Sequence, residues 1–168
     1  MVDLKEFEQK AADLRVLGMK ISIGQDTVYE KYWDEDCRRN IYSASKSFTS
    51  CAVGFAVQEG LIDLDERLMD AFKEDIPNNP DENLKKATVK DLLTMTLGQE
   101  KGFLMGKQRP RMEEQNWVKA SLAIPFVYEP GTHFVYNNVG PYLAGILVQR
   151  RAGCDLLSYL TPRLLKPL

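Results

Sequence analysis

Histidine is almost missing from this sequence: there is one, His133, in 168 residues. Cysteine is scarce too, at three (Cys37, Cys51 and Cys154). One imidazole and three thiols make neither a zinc cluster nor a disulfide framework. A Ser-His-Asp triad would have to use His133, which stands in a loop-like stretch, so any catalysis needs another base. No apolar run approaches the roughly 18 residues of a membrane span. The first residues, Met-Val-Asp-Leu-Lys-Glu-Phe-Glu, lack the basic and then apolar pattern of a signal peptide, which points to a cytoplasmic protein. An excess of one charge is missing as well. Twenty-two basic against 24 acidic side chains leave a net charge of −2, which argues against a nucleic-acid partner. What is present is an ordinary globular mixture, 44% apolar and 27% charged, long enough to bury a core.

Periodicity divides the chain. Leu4, Phe7, Ala11, Leu14 and Leu17 recur at helical spacing and predict a helix over 3–17 that stops at Gly18. Alternation over 19–23 and 27–33, around Gly24-Gln25-Asp26, predicts a β-hairpin. The mixed charges of 34–39 read as a solvated loop. From Ser47 to Val57 there is no charged residue, so the helix there is expected to run through the protein interior. Thr88-Val89-Lys90-Asp91 has the form of a capping box, introducing a helix that Gly98 would close. Residues 102–111 read as a loop, and 112–123 as a helix opened by Glu113 and Glu114 that buries Trp117. Pro130-Gly131 marks a turn. A helix then runs from Pro141 to Gly153, and a last helical stretch spans 156–165. Strands are thus confined to the first fifth of the chain, an α+β arrangement in which one hairpin is marginal by itself. The expected division is residues 1–42 as the helix and hairpin part, and 43–168 as the apolar helix with the helical lobe that follows.

Lys46 is the last charge before the uncharged run. Burial would strip its ammonium of hydration and lower its pKa, and the positive end of the helix dipole pushes the same way. Ser43, three residues earlier, lies within reach of that amine, and a hydroxyl beside such a base is an activated nucleophile. Seven serines and thirteen lysines make one chance Ser-x-x-Lys match ordinary, so the pair alone is better read as a helix cap and a lysine reaching to solvent.

Context adds to the pair. Ser43-Ala44-Ser45-Lys46-Ser47-Phe48-Thr49, opening an apolar helix, resembles the nucleophile segment of the serine β-lactamase and penicillin-binding protein superfamily, closest to the class C β-lactamase-like hydrolases. Tyr136-Asn137-Asn138, within 130–140, resembles the superfamily's Tyr-x-Asn element. The stretch 88–98 also looks like the family's, although Met95 and Leu97 stand where His and Ser are common. The resemblance covers most of 18–168. It implies a β-lactamase/transpeptidase-like fold and a serine hydrolase acting through an acyl-enzyme, with no metal or organic cofactor. Ser43 would be the nucleophile and Lys46 its proton acceptor or relay. Tyr136, its pKa lowered by Lys46, would activate Ser43 or protonate the leaving group. Asn138 would orient a substrate carbonyl or amide, and the Ser43 N–H would be one oxyanion donor. Ester, amide, lactam and D-peptide substrates all fit.

The superfamily's third element, Lys/His-Ser/Thr-Gly, has no match here; Glu100-Lys101-Gly102 lacks the central hydroxyl residue. In relatives that strand comes later, so the chain reads as the N-terminal part of a catalytic domain. Weak stability, little turnover and self-association through exposed core are expected of it alone. The rival is a non-catalytic binding or regulatory module on the same fold. His133, the three cysteines (buried or inert, Cys51 above all) and the cations Lys101, Lys107, Arg109 and Arg111 are expected to carry no function.

Overall fold

The computed structural model describes residues 3–35 and 37–168. Met1 and Val2, part of the leader reading, and Asp36, part of the 34–39 loop, lie outside the described residues. The chain divides into two compact units, Met1–Ile41 and Tyr42–Leu168.

In the first unit, helix α1 (Lys5–Ala11) precedes strands β1 (Gly18–Ile23) and β2 (Asp26–Tyr32). The strands pair antiparallel, Gly18 opposite Tyr32 and Ile23 opposite Asp26, with an irregularity between Ile21 and Ser22. The helix is shorter than its sequence spacing predicts. Phe7 meets Trp33 edge to face at 5.9 Å. Glu8 accepts from the Tyr29 hydroxyl at 2.8 Å and from Lys31 at 2.6 Å. Past the buried Ala11 the apolar spacing finds nothing to pack on: Leu14 is exposed, and Arg15 turns the chain at φ +54°. A helical pattern without a partner surface does not propagate.

The second unit is helical. Helix α2 (Ser45–Gln58) is followed by α3 (Leu68–Ala71), α4 (Glu82–Lys86), α5 (Val89–Thr94), α6 (Trp117–Leu122), α7 (Val139–Ala152) and α8 (Leu156–Leu160). A π-helical turn, Thr161–Leu165, prolongs the last of these. Helix α7 is the axis: α2, α5 and α8 all pack on it. Its buried face carries Leu143, Ala144, Leu147 and Val148, and these join Ala52, Val53 and Ala56 of α2 with Leu92 of α5 in one core. Gly140 allows a close approach of α5 to α7. A β-carbon there would lie 2.2 Å from the Leu92 carbonyl oxygen, so only glycine lets α5 and α7 touch backbone to backbone. At the far end of α2, Glu59 accepts from the Arg163 guanidinium at 2.6 Å and the Tyr159 hydroxyl at 2.9 Å. The Arg163 bond, ahead of the others, holds the Glu59 carboxyl below its ordinary range.

Four sequence expectations are corrected in this unit. Helix α2 is not sheathed on all sides: Ala52, Val53 and Ala56 are buried, while Ser50, Cys51, Gly54 and Val57 face outward. Small residues let it lie on α7 by one face, and the described residues supply no cover for the other. Cys51 is therefore exposed, as are Cys37 and Cys154. The Thr88–Asp91 capping box forms, with Thr88 N–H donating to Asp91 at 2.8 Å, but α5 ends at Met95 (φ +58°), three residues before Gly98. Helix α6 starts only at Trp117, because Asn116 caps it by accepting from the backbone N–H groups of Val118 and Lys119. Glu113 and Glu114 fall outside it, and Trp117 is only half-buried. The short α4 lies in a stretch with no helical periodicity to announce it.

Candidate active site

Ser43 sits in a 3-10 turn, Tyr42–Ala44, just ahead of α2 rather than inside it. Tyr42 takes a left-handed backbone (φ +46°), and its carbonyl accepts from the Ser45 hydroxyl at 2.6 Å. This sharp entry sets Ser43 at the mouth of the helix, exposed, with Lys46 one turn on.

Tyr136 and Asn138 arrive from the loop that leads into α7, and two neighbouring segments hold that loop. Val135 N–H donates to the carbonyl of Met95, itself left-handed, at 2.9 Å. Asn138 N–H donates to the Phe103 carbonyl at 3.2 Å. At Gly102 a β-carbon would lie 2.7 Å from the Tyr136 carbonyl oxygen, so the 102–105 segment passes close only because that residue is glycine.

The four residues singled out in the sequence come together. The Tyr136 hydroxyl is 2.7 Å from Ser43 Oγ. Lys46 Nζ donates to Ser43 Oγ at 3.2 Å and to Asn138 Oδ1 at 2.8 Å. The same ammonium stands 5.2 Å from the centre of the Tyr136 ring. The Tyr136 phenol is held below the ordinary tyrosine range, first by its hydrogen bond with Ser43 and then by the Lys46 ammonium beside it, against the opposing effect of burial. A phenolate at 136 would accept the Ser43 proton, so the two hydroxyls form a donor–acceptor pair whose direction follows the charge on the tyrosine.

One expectation about the site changes. Lys46 is half-buried, not sunk in a dry interior, because α2 buries only part of its surface. Asn138 is held by its own neighbours: Oδ1 accepts from Lys46, while Nδ2 donates to the Leu104 carbonyl at 3.0 Å and faces the Met105 thioether at 3.6 Å. Sequence reading missed the middle residue of the motif. Asn137 is 1% exposed, donates from Nδ2 to the Val135 carbonyl at 3.1 Å, and accepts the Gly140 N–H at Oδ1 at 3.0 Å. Two adjacent asparagines look alike in sequence; only the turn decides which faces in. Leu104, buried at φ +56°, was equally silent. His133 is exposed, bonded to Thr132 at 2.8 Å and stacked on Tyr128 at 4.2 Å, away from these contacts. Lys101, Lys107, Arg109 and Arg111 are exposed. Among the described residues no cluster of three His, Cys, Asp or Glu side chains is placed to hold a metal ion, and no helix is long and apolar enough to cross a membrane.

Comparison with known proteins agrees with this architecture. Monacolin J acid methylbutanoyltransferase of Aspergillus terreus is 30% identical to the chain over 155 residues, an alignment covering 80% of this chain and 37% of that protein. The octameric penicillin-binding protein homologue from Pyrococcus abyssi shares the fold with a TM-score of 0.74 at 24% identity, over 99% of this chain and 43% of that one. A class C β-lactamase does so with a TM-score of 0.74 at 18% identity, over 96% and 46%. The chain therefore spans less than half the length of each of these relatives, and its fold is the β-lactamase/transpeptidase-like one, with the two-stranded sheet and the mostly helical part. A family model described as Beta-lactamase matches residues 5–168, and the chain belongs to that family.

Proposed function

We propose that Ser43 is the nucleophile of an acyl-transfer reaction that passes through a covalent acyl-enzyme. The observation that carries this reading is the convergence on one oxygen. Ser43 Oγ lies 2.7 Å from the Tyr136 hydroxyl and 3.2 Å from Lys46 Nζ, brought there by two separate segments. Deprotonated Tyr136 takes the Ser43 proton as Oγ bonds to the substrate's carbonyl carbon. The same proton then passes to the leaving oxygen or nitrogen as its bond to that carbon breaks. Lys46 keeps the phenolate low in energy and holds Asn138 in place. The Ser43 N–H, at the opening of a helical turn, is one donor for the oxyanion. Water completes a hydrolysis by attacking the ester on Ser43; an acceptor hydroxyl completes a transfer.

Both endings have support. The motifs resemble those of β-lactamase-like hydrolases, whereas the relative from Aspergillus terreus is named a methylbutanoyltransferase. The substrate class is accordingly a small ester, amide or lactam. The absence of a Lys/His-Ser/Thr-Gly triplet from the 168 residues supports acylation with poor turnover by this chain alone. A cytoplasmic location, and activity without metal or cofactor, belong to the same proposal.

Intact-mass measurement after exposure to a fluorophosphonate tests it. One adduct per chain on Ser43, absent from Ser43→Ala, is the expected result. No adduct, or an adduct that survives Ser43→Ala, overturns the proposal in favour of a non-catalytic binding module.

A further inference from the structure

Residues 101–112 hold four cations, Lys101, Lys107, Arg109 and Arg111, and no acid, in a chain whose net charge is −2. All four are exposed, and among the described residues none is paired with a carboxylate, whereas Arg150, Arg151 and Arg163 each hold one. Of the flanking acids, Glu114 accepts the Asn116 N–H at 2.7 Å, and Glu100 and Glu113 are exposed and hold none of the four. Unpaired charge of one sign leaves a positive field over whatever the segment borders.

What it borders is Ser43, and groups outside the segment fix it there. Asn138 donates from its backbone N–H to the Phe103 carbonyl at 3.2 Å and from Nδ2 to the Leu104 carbonyl at 3.0 Å. Gly102 lies against the Tyr136 carbonyl, and Leu104 is buried in the core. Lys46 donates to Asn138 Oδ1 at 2.8 Å and to Ser43 Oγ at 3.2 Å, so three hydrogen bonds lead from the reacting oxygen to the backbone of the segment. That separation is on the order of the ~10 Å over which salt at 0.1 M screens a charge. The cations lie close to these anchors along the chain. Lys101 adjoins Gly102, and a turn in which Gln108 N–H donates to the Met105 carbonyl at 2.8 Å leads from Leu104 past Lys107 into the 3-10 turn Arg109–Arg111.

Resting on Ser43 acylation as proposed above, we infer that this segment selects substrates by charge. Lys101, Lys107, Arg109 and Arg111 favour acyl donors that carry an anionic group, such as a carboxylate, away from the reacting carbonyl. No fixed contact is needed for this. The field raises the local concentration of an anionic donor at Ser43, and a neutral donor of the same length gains nothing from it.

Mono-4-nitrophenyl adipate and 4-nitrophenyl hexanoate test this, since they share a carbon chain and a leaving group and differ in a terminal carboxylate or methyl. With either ester, Ser43 Oγ replaces the aryl oxygen on the acyl carbon and 4-nitrophenol is released. Second-order constants for acylation are followed by intact mass on the 168-residue chain, with Ser43→Ala as background. At about 0.1 M salt, the triple variant Lys107→Gln, Arg109→Gln, Arg111→Gln lowers the adipate-to-hexanoate ratio about tenfold. Lys73→Gln keeps the wild-type ratio. That cation adjoins Phe72, whose ring lies 5.6 Å from the Arg150 guanidinium, at the end of α7 about 18 Å along the helix from Asn138. A second readout needs no variant to fold: at about 1 M salt, where the screening length is about 3 Å, the wild-type ratio falls by a similar factor. A ratio unmoved by salt or by the triple variant, or lowered as much by Lys73→Gln, overturns the inference and leaves Ser43 chemistry standing. No Ser43-dependent acylation by either ester overturns both.

Discussion

Between Tyr136 and Asn138 stands a side chain that points away from the reacting atoms and that sequence reading passed over. Asn137 ties the Val135 carbonyl to the Gly140 N–H, closing the turn that sets Tyr136 on Ser43 and Asn138 on Lys46. Asn137→Ala takes this partner from the buried Gly140 N–H and the part-buried Val135 carbonyl, at a cost of about 1–2 kcal/mol in stability. Ser43 labelling should slow about tenfold at constant pH, because the Tyr136 hydroxyl loses its fixed approach. Chemical denaturation and labelling kinetics on the same samples check this; a variant that loses stability but labels at the wild-type rate removes Asn137 from the positioning of the site. Ser43, Lys46, Tyr136 and Asn138, which the structure brings together, could be singled out in advance because their residue types suggest chemistry. Asn137, Leu104 and Met105, which contact that segment, could not, because their contacts depend on backbone carbonyls and turn geometry that no residue type announces.

Among the elements, legibility followed local signals. The hairpin, the capping box before α5 and the span of α7 to Gly153 were readable from alternation, Thr88–Asp91 and a terminal glycine. The lengths of α1 and α6 were not, since one lacks a partner surface beyond Ala11 and the other is started by Asn116. The contact of α5 with α7 is the sharpest packing constraint on the site, because α7 begins where the Tyr136–Asn138 segment ends. Gly140→Ala places a methyl against the Leu92 carbonyl and must push the two backbones apart. A loss of about 1–3 kcal/mol is expected in urea unfolding, with slower Ser43 labelling to match. Stability equal to wild type would mean that the two helices are not held backbone to backbone.

For the whole molecule, the α+β class and the family were legible because several motifs occur in the right order. The degree to which α2 is covered was not, since an uncharged run reads the same with one face buried or all. Its outward face leaves Phe48 and Val57 exposed, and Leu157 and Leu165 add further apolar surface in the same unit. Apolar surface of this kind favours association by roughly 25 cal/mol per Å² removed from water. We expect the 168-residue chain to self-associate, its sedimentation coefficient rising with concentration across the micromolar range. A monomer throughout that range would contradict this.

The rate of Ser43 labelling by a fluorophosphonate, followed by intact mass across pH, tests the central claim most directly. In the proposed reaction Tyr136 is the base when ionised, and its hydrogen bond with Ser43 and the neighbouring Lys46 ammonium hold its phenol below the ordinary tyrosine range. The rate should therefore be low while the phenol is protonated, climb with pH, and level off before an ordinary tyrosine would ionise. Tyr136→Phe should erase that climb and slow labelling by about 10²–10⁴ at the plateau. A Tyr136→Phe profile that overlays the wild type would show that Ser43 is not armed by its neighbours.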